Sequence, residues 1–348
     1  MLGGMHQDPA APPSPARTLM GGFLMGFANL VPGISGGTMI LAVGLYDKFI
    51  QAISDVSRLR FSRSALIFLA GIALGAVVAV GSLSGLLVDL VVEHRWVMYS
   101  LFLGMTLGGA PELLQQAKPL KGGVVVAAVA GFAAMAAFAY FLTGTQLSPT
   151  PGVLVLVGAM AASSMILPGI SGSYLLLIFG LYETVIGSLR PQALREDWVG
   201  TAWIIVPVGI GAVLGIALLS NVLRLFLDRK PQVSHGMLLG LLLGSILGLW
   251  PFQNPVHEEL ARKDVRKATV MLLAGEEAQS IRDKHGPAFT AVRLQELEAR
   301  YIGKTPGDLK RMSNELQRFS PSILQILKAL GLFLVGLAIT RLVGRKKT

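Results

Sequence analysis

The chain has 348 residues, 53% hydrophobic and only 14% charged, with a mean hydropathy of +0.62 and a formal net charge of +10. A soluble domain carries roughly 25% charged residues; the deficit here lies in long, glycine-rich apolar runs, which argue against a soluble core and for membrane spans. The positive charge comes without aromatic-basic interleaving or a nucleic-acid motif, so it reads as cytoplasmic loop charge rather than a nucleic-acid surface.

The absence of cysteine excludes disulfides, thiol catalysis and cysteine metal sites. The five histidines (His6, His94, His235, His257, His285) show no metal-ligand spacing, so neither a metal nor another cofactor is expected.

Residues 1–17 are polar and proline-rich and read as a disordered tail, with no charged n-region and cleavage site to frame a signal peptide. Apolar segments follow at 18–31, 36–53, 64–90, 96–114, 122–146, 152–167, 172–189, 200–227, 234–250 and 322–343. Between 251 and 320 the composition changes to 12 Lys/Arg and 10 Asp/Glu. Apolar residues recur there at helical spacing (Val265, Met271, Leu272; Leu294, Leu297, Tyr301), which predicts an extramembrane insert of two or three helices. Residues 344–348 form a basic tail.

Pro32-Gly33-Ile34-Ser35-Gly36 recurs as Pro168-Gly169-Ile170-Ser171-Gly172, and Gly44-Leu45-Tyr46-Asp47 as Gly180-Leu181-Tyr182-Glu183, both at an offset of 136. The register persists from Gly22/Gly158 through Gly75/Gly211 to Gly104/Gly240 and Gly108/Gly244. Chance similarity does not hold one register over so long a stretch, so the chain is a duplicated unit. Aligning Gly131 with Gly331 gives an offset of 200, hence an insertion of 64 residues (200 − 136) in the second copy. The reading is a first repeat at 18–146 and a second at 152–250 plus 321–343, interrupted by the 251–320 insert.

The first half-segment, 18–31, spans roughly 21 Å as a helix, short of a hydrocarbon core of about 30 Å. Two such halves joined by a turn can dip in and return to one face. The fold class expected is therefore an all-α polytopic membrane protein of two inverted-topology repeats, each a re-entrant helical hairpin plus about three transmembrane helices. With both termini cytoplasmic, the basic loops at 58–63, 118–121 and 229–230 and the 345–347 tail all fall inside. The loops at 91–95, 146–151 and 190–198 and the nearly charge-balanced insert fall outside. The competing reading makes each broken segment a full crossing, with four spans per copy and parallel repeats. The Gly-x-x-x-Gly pairs Gly71/Gly75, Gly104/Gly108, Gly211/Gly215 and Gly240/Gly244 read as helix-packing surfaces.

Irregular backbone at membrane depth must be covered by protein or line a wet cavity. Pro32, Gly33, Pro168 and Gly169 make the turns, and each turn opens a new helix. Ser35-Gly36-Gly37-Thr38 and Ser171-Gly172-Ser173-Tyr174 then offer N-capping hydroxyls and free N–H groups, a site suited to an oxyanion such as phosphate or carboxylate. A mere kink is the plain alternative. Asp47 and Glu183 occupy equivalent positions eleven residues after Gly36 and Gly172, about 16 Å along a helix, as solvated helix ends or as groups for proton coupling or gating. Asp89 and Glu112 are weaker candidates. No paired nucleophile and general base is evident, so no enzyme is expected.

Asn29 to Thr38 and Ile166 to Ser173, each followed by Gly-Leu-Tyr-Asp/Glu, resemble the bacterial PopT family of polyprenyl-phosphate transporters, once a domain of unknown function. The resemblance covers essentially all membrane segments; the 251–320 insert lies outside it. It implies an undecaprenyl-phosphate translocase of the bacterial inner membrane that returns this lipid carrier from the outer to the inner leaflet for cell-wall precursor synthesis. Its partners would be the polyprenyl-phosphate lipid and the bilayer, with a homo-oligomer compatible with the sequence. A transporter of a soluble anion needs the same helix-end site without a lateral opening.

Overall fold

The computed structural model describes residues 13–30, 34–141, 147–188, 195, 197–313 and 315–344. It is a mostly helical multi-pass membrane protein. Five helical stretches among the described residues are long and apolar enough to cross a bilayer: Arg63–Leu83, Arg95–Ala117, Trp198–Arg229, Pro231–Leu249 and Ile323–Leu342. Gly122–Phe138 and Pro151–Ser164 are apolar but shorter.

In chain order the first copy gives α1 (Pro15–Asn29), α2 (Gly36–Ala42), α3 (Tyr46–Ser57), α4 (Arg63–Glu93), α5 (Arg95–Leu107), α6 (Ala110–Ala117) and α7 (Gly122–Phe141). The second gives α8 (Pro151–Ser164), α9 (Gly172–Ile178), α10 (Tyr182–Ser188), α11 (Trp198–Arg229) and α12 (Pro231–Ser245). α1 begins before the apolar run, because Ser14 accepts from the N–H of Arg17 and Pro15 suits a first helical position.

The second apolar segment is not the continuous helix expected over 36–53. The Leu45 N–H donates to Ile40 O at 3.0 Å around Gly44, whose φ is +67°, and Leu181 repeats this onto Leu176 at 2.9 Å around Gly180 at +71°. This is a Schellman stop, and it needs a residue at ease in the left-handed region. Asp47 therefore lies in the first turn of a new helix, not far along an old one.

Glycines set the helix contacts, and they do so twice. A Cβ at Gly22 would collide with the backbone of Ile72, and one at Gly158 with Val208; Gly75 meets Leu19, and Gly211 meets Val155. Each partner pair also differs by 136, so α1 lies on α4 as α8 lies on α11. In the later helices the copies exchange partners. Gly240 and Gly244 on α12 press against Ala128 and Met135 of α7, while Gly104 on α5 and Gly108 just past its end press against Phe333 and Thr340. The latter two lie on α18 (Ile323–Gly344), the last helix.

These contacts correct the register of the last helix pair. Gly131 faces Met237 and Leu241; their equivalents, Leu101 and Met105, are faced by Gly336, whereas a Cβ at Gly331 would meet open space. The offset is therefore 205 and the second copy carries 69 extra residues (205 − 136).

A second compact unit is formed by Asp89–Met98 and Trp250–Ala329. It holds a two-stranded antiparallel ribbon, β1 (Gln253–Pro255) with β2 (Leu316–Arg318). Five short helices accompany it: α13 (Glu258–Ala261), α14 (Lys263–Leu273), α15 (Ala278–His285), α16 (Ala291–Tyr301) and α17 (Pro306–Ser313). Two or three were expected. The difference arises at Gly275, Gly286 and Gly303, which stop α14, α15 and α16 at positive φ. Val265, Leu294, Leu297 and Tyr301 are buried in its core as their spacing implied, with Met271 and Leu272 packed against it.

Beside that core, Tyr301 and Arg300 donate to Glu259 Oε1 at 2.5 and 2.6 Å. Burial works against ionisation of Glu259, but the hydrogen bonds from Tyr301 and Arg300 hold its carboxyl below the usual range. A depressed folded pKa contributes stability above the unfolded value, and this is lost as pH falls through the folded one. Amide exchange of α16 in the full-length protein should accelerate below about pH 4. Glu259→Gln should remove that acid step; an unchanged step would deny the carboxylate this role.

Candidate functional site where the two motifs meet

The broken segments fold back tightly. A Cβ at Gly36 would lie 2.7 Å from Met25 Cγ and 2.9 Å from Asn29 Oδ1 of α1, and one at the equivalent Gly172 would collide with Ala161 of α8. Small residues are needed here because the second helix of each pair leaves directly over the end of the first.

Pro32 and Gly33 lie outside the described residues. From Ile34 the chain is buried, with Ser35 at 2% and Thr38 at 0% exposure, and every residue of α2 is buried. What covers it is the second motif. Ser35 Oγ donates to Leu167 O at 2.8 Å, and the Gly169 N–H donates to Thr38 Oγ1 at 2.9 Å. Tyr46, at the start of α3, donates to Ile166 O at 3.0 Å. A Cβ on Gly37 would lie 2.8 Å from that same carbonyl. The turn carrying Pro168 and Gly169 is thus held by hydroxyls of the first copy and lies over α12, where a Cβ on Gly169 would lie 2.7 Å from Ser245 Cβ.

Ser35 occupies the N-cap position of α2, yet its side chain makes no capping bond. The expected cap is replaced by the bond to Leu167, because the extended backbone at Ser35 (φ −95°, ψ 127°) lets the hydroxyl turn toward the other motif. In the second copy Ser171 and Ser173 bond each other at 2.9 Å, and the Tyr174 ring tilts against Phe138 with centroids 6.4 Å apart. The sequence-predicted residues therefore divide. Ser35, Gly37 and Thr38 join the motifs, whereas Ser171, Ser173 and the opening N–H groups of α9 form a compact set of neutral donors on Ser171-Gly172-Ser173-Tyr174.

Asp47 stands apart from the motif turns. Its side chain is 59% exposed and lies 3.5 Å from Nε2 of His235 on α12. Glu183 opens α10, but its side chain lies outside the described residues. Arg17 Nε donates to Val43 O at 3.0 Å, placing a cation at the carbonyl end of α2. A polar seam further along α3 ties the copies together. Ser54 donates to Asn221 of α11 at 2.7 Å, Asn221 donates to Ser57 at 3.0 Å, and Arg224 pairs with Asp55.

Sequence reasoning missed His235 and Arg17. No motif spacing leads to either; a polar pair, Ser234-His235, opening an otherwise apolar span was the only mark.

The sequence profile of a family described as undecaprenyl phosphate translocase-like matches residues 25–266, a stretch that contains both motifs. A polyprenyl-phosphate transporter of Vibrio cholerae serotype O1 is 32% identical over 252 residues, covering 68% of this chain and 78% of its own. A polyprenyl-phosphate transporter of Staphylococcus aureus is 31% identical over 246 residues, covering 67% of this chain and 85% of its own. No solved structure matches the chain.

Proposed function

We propose that this chain, which belongs to the undecaprenyl phosphate translocase-like family, moves polyprenyl phosphate across the bilayer and returns undecaprenyl phosphate from the outer to the inner leaflet. The observation that carries the site of action is the meeting of the two motifs, with neutral donors gathered on short helices at equivalent positions of both copies. A phosphate monoester carries about −1.5 to −2 charges at pH 7 and accepts hydrogen bonds on three oxygens. At seven residues each, α2 and α9 sum little dipole, so hydroxyls and free N–H groups supply the contact. Ser171 and Ser173 with the N–H groups of Gly172 and Tyr174 hold the headgroup in this reading. Ser35 and Thr38, with Gly36 and Gly37 giving close backbone approach, take it when the motifs part. The prenyl tail stays in lipid through a lateral opening.

The copies are inverted repeats with re-entrant hairpins turned by Pro32, Gly33, Pro168 and Gly169, working by alternating access in the inner membrane with both termini in the cytoplasm. Inward movement of an anion opposes an inside-negative potential by about 2.3 kcal/mol per charge per 100 mV. Proton coupling through Asp47 and Glu183 offsets that opposition.

The test is flipping of labelled polyprenyl phosphate in liposomes containing the purified protein, with inorganic phosphate as control. Lipid flipping without phosphate uptake is expected. Phosphate uptake without lipid movement replaces this reading with a transporter of soluble anions. The cysteine-free chain also lets topology be checked directly. Ser62→Cys and Lys121→Cys should be shielded from an impermeant thiol reagent in intact cells, while Ser148→Cys and Gln279→Cys should label. Labelling of Ser62→Cys from outside overturns the inverted arrangement.

A further inference from the structure

His235 belongs to neither motif, yet it is a buried ionisable group in a membrane span, 5% exposed near the start of α12. Its Nδ1 lies 2.6 Å from the carbonyl oxygen of Pro231. A carbonyl only accepts, so Nδ1 carries a hydrogen and the second ring nitrogen is left to take or lose the proton. That nitrogen, Nε2, is buried without a hydrogen-bond partner. It points at Asp47 Oδ1, 3.5 Å away. In the neutral ring Nε2 is an acceptor, and so is an ionised carboxylate. Two acceptors then face each other, Nε2 shut off from water and the carboxylate open to it on its outer side. One proton turns the confrontation into a charge-assisted hydrogen bond.

Leu41, Gly44, Tyr46, Asp47, Glu112 and Gln116 line a cleft of about 20 Å³, enough for a single water. Glu112, on α6, brings a second carboxylate to the cleft that Asp47 lines and accepts from Gln116 Nε2 at 2.8 Å. Arg17, the cation that α1 brings to this end, is engaged by Val43 O. α7 packs on α12 through Val124 against Gly236 and is apolar over Gly122–Phe138. The α11–α12 turn carries Asp228, Arg229 and Lys230, but among the described residues the ion-pair partner of His235 is Asp47.

The site has no twin. At the offset of 136, Asp47 matches Glu183, but His235 matches Tyr99, Glu112 matches Gly248, Gln116 matches Phe252 and Arg17 matches Val153. Only one of the two equivalent positions can hold a proton in this way.

We propose that His235 and Asp47 together form a proton-binding site, and that its occupancy latches the first turn of α3 in the first copy to α12 of the second. When the proton leaves through the exposed side of Asp47, the two acceptors no longer attract and the helices are free to separate. Use of this latch in transport rests on the proton-coupled reading above; the binding of the proton does not.

The test is a titration of histidine ring ¹⁵N shifts in the full-length protein in lipid nanodiscs, with the His235 signal assigned from a His235→Gln sample. His235 should keep its proton down to at least tenfold lower proton concentration in the wild type than in Asp47→Asn, and Asp47→Glu should restore most of the difference. Should Asp47→Asn fail to fold, Asp47→Ser takes its place. Identical titration with and without the carboxylate overturns the site. A separate readout keeps the two ideas apart. If the titration behaves as expected but wild-type flipping of polyprenyl phosphate ignores pH, the proton site stands and the coupled reading falls. If flipping responds to pH and His235→Gln responds identically, the latch is wrong whatever drives the transport.

Discussion

Gly336→Val should melt far below the wild type, while Gly331→Val, five residues earlier on the same helix, should be nearly silent. A Cβ at Gly336 would collide with the carbonyl of Leu101 and sit 2.9 Å from the N–H nitrogen of Met105. Those are backbone atoms of α5, which cannot rotate aside as a side chain can. Overpacking a close interface costs about 1–3 kcal/mol, and a clash with rigid backbone belongs at or above the top of that range. Gly331 has nothing within reach of a new side chain, and such positions change stability by about 0.5 kcal/mol or less. Thermal unfolding of the purified, detergent-solubilised protein separates the two. The reverse ranking would restore Gly331 as the counterpart of Gly131 and dismiss the exchanged helix packing. Gly240→Val should match Gly336→Val in severity, since its Cβ would run into Ala128 of α7.

The second large effect falls on the joined motifs, and it separates architecture from substrate contact. Thr38→Val preserves shape but removes the acceptor for the buried N–H of Gly169. An orphaned buried donor costs about 1–3 kcal/mol, so the variant should melt at lower temperature and flip lipid poorly, with Ser35→Ala milder because it frees only a carbonyl. The Ser171→Ala, Ser173→Ala double variant breaks no bond between the motifs. It should melt like the wild type yet bind polyprenyl phosphate at least tenfold more weakly, in line with about 1.5–3 kcal/mol for hydrogen bonds to a charged partner. Unchanged affinity in that double variant would make these hydroxyls plain turn-formers and remove the headgroup from this end of α9.

Much of the architecture could be read from the chain because the copies have kept one register without insertions from Gly22 to Gly108. Equal spacing preserves equal contacts, so Gly22 and Gly158 meet residues that themselves stand 136 apart. The register of the last helix was less legible for a physical reason. Gly331 and Gly336 both lie in α18, and which glycine faces a neighbour depends on helix rotation, a property set by packing rather than by apolar composition. The stop at Gly44 was visible as a letter but not as a break, since a membrane helix tolerates glycine and only the left-handed turn reveals its use. At the motifs the residue types were legible and their partners were not. Nothing in the first motif announces that Ser35 bonds Leu167 rather than caps its own helix. The approach of His235 to Asp47 joins positions on different copies that share no motif, and only the folded chain brings them within 3.5 Å.

The exchange of closing helices bears on how the protein is made. α5 emerges early in synthesis, but the helix that seats on Gly104 and Gly108 is the last one, α18. Until translation ends, the glycine face of α5 has only lipid or a chaperone against it. A stop codon anywhere before α18 therefore damages the first half of the molecule as surely as the second. Co-expressed halves divided at the 147–150 connection should regain function only as a pair, each supplying the strip of helix that the other cannot provide for itself.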